Sequence, residues 1–200
     1  LGRLGSKVET VNRFFEQFNT VMMTMIDIML KVAPIGIFCL IARTFANLGI
    51  TGMMPMLKFI LTVYGGLFIQ LFIVYAIIFV LFTRLNPFRF LRKMLPVILF
   101  AFSTSSSNAT IPLNLETLER KCGVDEKVAS FTIPLGATIN MSGTAIMQGV
   151  AVVFVAQAFG IDLSTSALMT VVITAVTAAI GTAGVPGVGT IMLAMVFESV

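Results

Sequence analysis

Residues 136–145 read Gly-Ala-Thr-Ile-Asn-Met-Ser-Gly-Thr-Ala and lie near the middle of a stretch, 128–161, that contains no charged residue. Such a stretch is long enough to cross the hydrocarbon core of a bilayer, which needs about 20 apolar residues as a helix. Glycines flank Asn140 and Pro134 precedes it, so the sequence predicts a helix that unwinds for a few residues. Unwound backbone at membrane depth is tolerated only where it is buried in protein or lines a cavity. We therefore expect oxygen ligands for a small monovalent cation here: the carbonyls of Gly136 and Asn140 and the side chains of Asn140 and Thr138.

A second interruption is polar. Residues 103–112 read Ser-Thr-Ser-Ser-Ser-Asn-Ala-Thr-Ile-Pro inside the uncharged stretch 94–115. Five successive hydroxyl residues favour turns and helix caps, because their side chains bond to nearby backbone groups. We predict that one helix ends in a turn at 103–108 and that Ser107 or Asn108 caps the next helix. The free N–H groups and partial positive charge at the start of that helix would bind a carboxylate.

A third interruption, residues 179–189, reads Ala-Ile-Gly-Thr-Ala-Gly-Val-Pro-Gly-Val-Gly. Four glycines and a proline in so short a stretch exclude an uninterrupted helix. The pattern predicts the tip of a helical hairpin, with carbonyls exposed from Ala179 to Thr182 and N–H groups exposed from Val185 onward. Close packing of small residues between membrane helices is the simpler alternative, and it explains the glycine pair 65–66. It requires neither a Pro-Gly pair nor a run of hydroxyl residues.

The positions of the charges predict how the chain crosses the membrane. Only 11% of the residues are charged, against about 25% in a typical soluble domain. The basic residues form three main clusters, which the positive-inside rule places on the cytoplasmic side: Arg3, Lys7 and Arg13; Arg84, Arg89, Arg92 and Lys93; Arg120, Lys121 and Lys127. The stretch 87–120 then starts and ends on the same side, so we expect a re-entrant hairpin. A surface helix followed by a loop is the alternative for this stretch.

The predicted fold is therefore an all-α integral membrane protein with transmembrane helices, two re-entrant hairpins and a broken helix. We expect five segments in order: a scaffold-like transmembrane helix with a cytoplasmic N-terminal segment at 1–56, a transmembrane helix at 57–86, the first hairpin at 87–123, a broken transmembrane helix at 124–160, and the second hairpin at 161–200.

Asp27 and Lys31 lie four residues apart inside the first span, which favours an ion pair on one helix face. The alternative is a functional acid within the membrane. Because the chain starts at Leu1 and stops at Val200 in an apolar run, we expect it to be part of a longer protein.

The composition excludes several kinds of chemistry. Histidine is absent, and the two cysteines, Cys39 and Cys122, lie in unrelated stretches. Neither histidine catalysis nor a zinc site nor a disulfide framework is expected. An intramembrane enzyme would lack a base, since no acid lies in the three interruptions and Ser107 has no neighbouring activator. We expect no enzyme activity and no cofactor; an ion channel with re-entrant pore loops stays open as an alternative.

The three interruptions together resemble the dicarboxylate/amino acid:cation symporter family, the glutamate transporter family. The serine-rich stretch, Pro-Leu-Gly-Ala-Thr-Ile-Asn-Met-x-Gly-Thr-Ala at 134–145 and Gly-Thr-Ala-Gly-Val-Pro-Gly at 181–187 match its motifs in order and spacing, and Ala-Pro-Ile-Gly at 33–36 is also similar. The resemblance covers nearly the whole chain. It implies a multi-pass protein of the plasma or inner membrane, a homotrimer whose transport core moves across the bilayer like an elevator. It implies symport of an acidic amino acid such as glutamate or aspartate with sodium or a proton, with neutral amino acids or C4-dicarboxylates as alternatives and no nucleic-acid partner.

The resemblance also implies roles for individual residues. The substrate contacts would be Ser105, Ser106, Ser107, Thr144, Val185 and Gly189. The sodium ligands, largely through backbone carbonyls, would be Gly136, Thr138, Asn140, Met141, Ala179, Ile180 and Thr182. The gate over the substrate would comprise Gly181, Gly184, Pro186 and Gly187. Ser142 stands where the family usually has an aspartate, so a negative charge is missing and cation binding there should be weaker.

Overall fold

The computed structural model describes residues 9–198, except for the side chains at 12, 16, 23, 26, 27, 30, 48 and 50–53. All regular secondary structure in this part of the chain is helical, in agreement with the predicted all-α class. The chain divides into two compact units, Leu1–Met56 and Leu57–Val200.

The first unit is built from apolar helix. Helix α1 (Glu9–Ile69) contains one residue outside helical φ/ψ, Gly49, whose φ of 64° marks the kink between two helices. The chain is helical on both sides of Gly49, and the helix includes Pro55. Large apolar side chains such as Phe38 are exposed, as expected of a surface that meets lipid or other protein. The side chain of Asp27, and with it the predicted pair with Lys31, falls outside the described part of the chain, as do Arg3 and Lys7.

The second unit starts within the C-terminal part of α1, which passes through a π-helical turn (Gln70–Val74) into α2 (Tyr75–Thr83). Helix α2 stops at Arg84, which adopts a left-handed φ of 56°. Helix α3 (Pro87–Thr104) then begins with Asn86 as its N-cap, whose Oδ1 accepts the N–H of Phe88 at 3.0 Å. Proline is favoured as the first helical residue, since it has no N–H to leave unbonded.

A two-residue turn, Ser105 and Ser106, joins α3 to α4 (Ser107–Thr117), and the two helices pack together as a helical hairpin. Ser105 has a left-handed φ of 49°, whereas Ser106 is extended and its Oγ accepts the N–H of Ala109 at 3.3 Å. The prediction of Ser107 or Asn108 as the cap is therefore wrong: the chain re-enters helical geometry at Ser107, so the preceding residue caps it. Helix α4 continues into a second π-helical turn, Leu118–Cys122.

The break in the next helix is short. Helix α5 (Glu126–Ile139) and helix α6 (Ser142–Ala158) are separated only by Asn140 and Met141. Helices α7 (Thr165–Ile180) and α8 (Val188–Phe197) form a second helical hairpin, whose non-helical tip is 181–187. Gly187 ends the tip with a φ of 82°, a conformation that a side chain would disfavour.

Small and β-branched side chains of α6, α7 and α8 form the most buried core, which consists of Val152, Val171, Ala175, Ala178 and Val196. Helix α4 packs against α5, and α5 packs against α7, so each hairpin contacts the broken helix. By length and composition alone, Met54–Thr83 and Glu126–Ala158 are long and apolar enough to cross a membrane.

Candidate functional site

The break between α5 and α6 leaves the backbone carbonyl of Asn140 without a backbone donor. Asn140 and Met141 have φ/ψ values of −90°/70° and −107°/45°. The N–H of Asn140 donates to the carbonyl of Gly136 at 2.9 Å, whereas the carbonyl of Asn140 itself accepts no backbone N–H in the described part of the chain. The expectation of a freed Gly136 carbonyl is therefore wrong, because α5 keeps its helical bonding up to the break. The role of Gly136 as a sodium ligand stays a prediction.

Side chains on both sides of the break are also bonded. The hydroxyl of Tyr75, at the start of α2, donates to Asn140 Oδ1 at 3.0 Å and lies 2.5 Å from Ser142 Oγ. Thr138 Oγ1 donates to the carbonyl of Leu135 at 2.9 Å, so its proton is used inside α5. The break is thus tied to α2 through a hydroxyl that sequence reasoning did not identify.

A cavity of about 300 Å³ lies beside this break. Its walls come from the first π-helical turn, the α5–α6 break and the end of α7: Gln70, Ile139, Asn140, Met141, Ser142, Ala145, Ile146, Val176, Ala179 and Ile180. Four of the predicted sodium ligands, Asn140, Met141, Ala179 and Ile180, are among these residues, whereas Gly136, Thr138 and Thr182 are not. No residue of this lining is charged, so the cavity offers neutral oxygen atoms.

Two helix ends give the cavity its electrostatic character. Helix α5 ends at Ile139 and helix α7 ends at Ile180, and the C-terminus of a helix carries a partial negative charge. The carbonyl of Ala179 accepts the N–H of Thr182 at 3.1 Å, so this carbonyl is not free, contrary to expectation. The Thr182 hydroxyl, which is buried, donates to the carbonyl of Ala178 at 2.8 Å. Helix α6 begins at the same break, and its positive end partly offsets the two negative ones.

The tips of the two hairpins are in direct contact. The carbonyl of Gly184 accepts two hydrogen bonds from the first hairpin: one from Ser106 Oγ at 2.9 Å and one from the N–H of Asn108 at 3.1 Å. A Cβ at residue 184 would lie 2.8 Å from Asn108 Oδ1 and 3.1 Å from Ser107 Cβ. A side chain at residue 184 would require Asn108 or Ser107 to shift. This close contact brings the serine-rich stretch to the predicted gate.

Helix α6 contacts the start of α8 in the same unit. A Cβ at Gly189 would lie 3.0 Å from Thr144 Cγ2, so these two predicted substrate contacts are neighbours. The side chain of Gln148, fully buried one turn after Thr144, donates from Nε2 to the carbonyl of Gly189 at 2.9 Å. Gln148 Oε1 is buried and has no hydrogen-bond partner in the described structure. The bond fixes α8 against α6 next to the two predicted contacts.

Some of the backbone N–H groups predicted to face a substrate are engaged inside the protein. The N–H of Ser105 donates to the carbonyl of Ala101 at 2.9 Å, and the N–H of Val185 donates to the carbonyl of Ala183 at 2.8 Å. The expectation of an exposed N–H group at Val185 is therefore wrong, because the tight tip closes on itself. The roles of Ser105 and Val185 as substrate contacts stay predictions. Ser107, by contrast, is exposed at the start of α4.

The sequence as a whole decides the family. A family profile described as the Sodium:dicarboxylate symporter family matches residues 1–200. The chain belongs to the sodium:dicarboxylate symporter family. This result confirms the resemblance carried by the three interruptions.

Named relatives in the sodium:dicarboxylate symporter family include two kinds of amino-acid transporter. Neutral amino acid transporter A of Bos taurus is 38% identical over 202 residues, which are 100% of this chain and 38% of the relative. Neutral amino acid transporter B(0) of Mus musculus is 38% identical over 210 residues, 100% of this chain and 36% of the relative. Excitatory amino acid transporter 1 of Homo sapiens is 35% identical over 202 residues, 100% of this chain and 37% of the relative.

The chain thus spans well under half the length of these relatives. They are named as transporters, and the family is one of symporters, which confirms the expectation that this chain is not an enzyme. In the family description sodium is a coupled substrate, as expected, rather than a cofactor.

The sequence analysis did not predict the roles of two residues of this family member, Gln148 and Tyr75. Gln148 had a visible signal, because it is a polar side chain inside the uncharged stretch 128–161, four residues after Thr144. Tyr75 had none, since its position depends on the π-helical turn Gln70–Val74. The segment around this turn is apolar on nearly every face, so its hydrophobic periodicity does not reveal an extra residue.

Proposed function

We propose that this chain forms the substrate- and cation-binding core of a multi-pass membrane symporter that couples the uptake of an amino acid to sodium. The supporting observation is the convergence of helix ends. Helices α5 and α7 end at the cavity, while α4, α6 and α8 begin close to the contacts of Gly184 with Asn108 and of Gly189 with Thr144. Helix C-termini favour a cation and helix N-termini favour a carboxylate. Adjacent sites of these two kinds suit an amino acid carried together with sodium.

Coupling follows from the chain connection between the cavity and the second tip. Ala179 and Ile180 line the cavity, and the tip 181–187 follows them directly. A cation between these residues and Asn140 would hold the end of α7 in place and so favour the closed contact of Gly184 with the first hairpin. A core with both solutes bound is charge-compensated and can cross the low-dielectric barrier. A core with only one solute would keep its tip open, with Gly181, Gly184, Pro186 and Gly187 as the moving gate.

The arrangement in the membrane is part of the same proposal. The two helical hairpins would enter the bilayer from opposite sides without crossing it, and the unit at 1–56 would belong to a scaffold held in a homotrimer. The transport core, built from 57–200, would move past this scaffold like an elevator in the plasma or inner membrane. The exposed apolar side chains of both units support a lipid or protein environment for them.

An acidic amino acid, glutamate or aspartate, is our first candidate substrate. It requires a cationic side chain for its second carboxylate, and no lysine or arginine belongs to the tip contacts or the cavity lining described above. The lack of such a side chain among these residues supports a neutral amino acid, our second candidate, in line with the names of two relatives. C4-dicarboxylates are a third possibility. Membership of a symporter family weighs against the ion channel.

The proposal is tested by uptake into vesicles that contain the complete protein. Radiolabelled glutamate and alanine are offered under an inward sodium gradient, and choline replaces sodium in the matched control. With a sodium gradient, we expect the concentration of one amino acid inside the vesicles to rise above its concentration outside. With choline we expect no accumulation. Equal uptake under both gradients contradicts sodium coupling, and ion currents without accumulation of either amino acid point to a channel.

A further inference from the structure

The start of helix α3 carries a group of basic residues that has no acidic neighbour in the sequence. The group consists of Arg84, Arg89, Arg92 and Lys93, and all four residues are exposed. The whole stretch 28–115 contains neither aspartate nor glutamate. Among the described side chains, the ion pair formed is that of Arg120 with Glu116, at 2.9 Å. The four positive charges at the start of α3 are therefore not neutralised by this part of the protein.

Three of these side chains are available to a ligand. Lys93 is engaged, because its Nζ donates to the carbonyl of Lys121 at 2.6 Å. Arg84 lies in the short connection between α2 and α3, and Arg89 and Arg92 lie three residues apart on one side of α3. We call these three arginines the basic patch. The N-terminus of α3 carries a partial positive charge that adds to theirs.

Helix α3 also has two apolar faces. On the inward face Met94 and Val97 are buried, and Phe90 stacks on Phe79 of α2 with ring centroids 4.8 Å apart. The outward face follows helical spacing through Phe88, Arg92, Leu95, Leu99 and Phe102. Its apolar side chains are exposed, from 49% at Leu95 to 80% at Phe102. An arginine therefore stands near the start of an exposed apolar stripe.

The dimensions of this outward face match one leaflet of a bilayer. The helix rises about 15 Å from Arg92 to Phe102, and the hydrocarbon of one leaflet is also about 15 Å thick. A surface that is cationic at one end and apolar along its length is complementary to an amphipathic anion. A free phosphate would neutralise the arginines and leave the apolar stripe without a partner. A phospholipid satisfies both parts of the surface.

We propose that the basic patch binds the headgroup of an anionic phospholipid whose acyl chain lies along the outward face of α3. The positive-inside rule places this patch on the cytoplasmic side, where anionic lipids attract basic segments. The bound lipid would hold the start of α3 at the membrane surface and thereby set the depth of the turn at Ser105 and Ser106. The inference depends neither on sodium coupling nor on which amino acid is carried.

Photoactivatable phosphatidylglycerol, with its reactive group in the acyl chain, tests the proposal in vesicles that contain the complete protein. Phosphatidylcholine with the same reactive chain and no net charge is the matched control lipid. Mass spectrometry identifies the labelled peptides, and labelling of 84–102 is followed as the fraction of reactive lipid rises. Arg89→Gln and Arg92→Gln each remove one cation, and Arg92→Lys keeps the charge. Lys58→Gln removes an exposed cation elsewhere in the second unit and is the control variant.

We expect phosphatidylglycerol to label 84–102 at least about fivefold more strongly than phosphatidylcholine, because one cation near an anionic headgroup already contributes a factor of about five. Each glutamine variant should lower the apparent affinity for phosphatidylglycerol about fivefold, and the double variant should lose more than either single variant. Arg92→Lys and Lys58→Gln should keep the parental affinity. Melting temperatures check that the variants fold, and Arg84→Gln replaces any variant that does not.

Equal labelling of 84–102 by the two lipids overturns the inference. So does a lack of labelling there by either lipid, since another part of the complete protein would then cover α3. Competition by soluble glycerol phosphate would show that the headgroup alone suffices and would contradict binding of the acyl chain. None of these outcomes bears on the uptake assay, so failure of this inference leaves the proposed function intact.

Discussion

The contact between the hairpin tips depends on the missing side chain at Gly184. Its carbonyl accepts bonds from Ser106 and Asn108, and a Cβ at this residue would lie 2.8 Å from Asn108 Oδ1, so the Asn108 side chain would have to shift. Gly149 in α6 differs, because a Cβ there would meet nothing within 4 Å. An added side chain therefore meets neighbours at Gly184 and open space at Gly149.

We predict that Gly184→Val lowers substrate affinity by about tenfold or more, since overpacking a tight contact costs roughly 1–3 kcal/mol. The added side chain must displace Asn108 or push the tip away, and either change weakens the closed contact. Equilibrium binding of substrate at saturating sodium measures the effect. Gly149→Ala is the control and should bind normally; normal binding by Gly184→Val as well would rule out the gate assignment.

Asn140 combines a freed carbonyl with a side-chain oxygen at the cavity. We predict that Asn140→Ala raises the half-saturating sodium concentration by about tenfold, because it deletes one oxygen and favours continuous helix across the break. Sodium titration of substrate binding is the measurement. Asn19→Ala, on the exposed surface of α1, is the control. The same sodium affinity in both variants would remove Asn140 from the site.

At the scale of the elements, the breaks were predictable because local chemistry determines them. Glycine, proline and serine indicated the turn within 103–108, the break around Asn140 and the tip within 181–189, and each interruption lies inside the predicted range. The bonding partners were not predictable. The bond from Gln148 to Gly189 depends on how α6 packs against α8, and sequence spacing carries no information about that packing. The cap was misplaced by one residue because several neighbouring hydroxyls can perform the same role.

Ser106 links the start of α4 to the second hairpin, since its Oγ accepts the N–H of Ala109 and donates to the carbonyl of Gly184. We predict that Ser106→Ala destabilises the protein by about 1–2 kcal/mol through loss of the cap and of one buried bond. Thermal unfolding and faster amide exchange at the start of α4 measure the effect. Ser103→Ala removes a hydroxyl that bonds only to Phe100 in its own helix, and it should cost much less. Equal losses in both variants would contradict the linking role.

For the whole molecule, the charge pattern and the three interruptions were enough to predict the helical class and the family. Both follow from the order of residues along the chain and do not require knowledge of tertiary contacts. The position of the hairpins relative to the bilayer is a proposal that rests on the positive-inside rule. The cavity lining joins residues from the first π-helical turn, the α5–α6 break and the end of α7, and only tertiary packing brings these together. The central claim is that this packing gathers peptide and side-chain oxygens into a cation site.

Thallium(I), a monovalent cation with strong anomalous scattering, tests that claim most directly. Crystals of the complete protein grown with substrate are soaked in thallium with and without excess sodium, and an anomalous difference map is computed. We predict a peak in the cavity between Asn140 and Ile180 that sodium abolishes by competition. A cavity without anomalous density, in crystals where thallium binds elsewhere and sodium displaces it, would contradict the account.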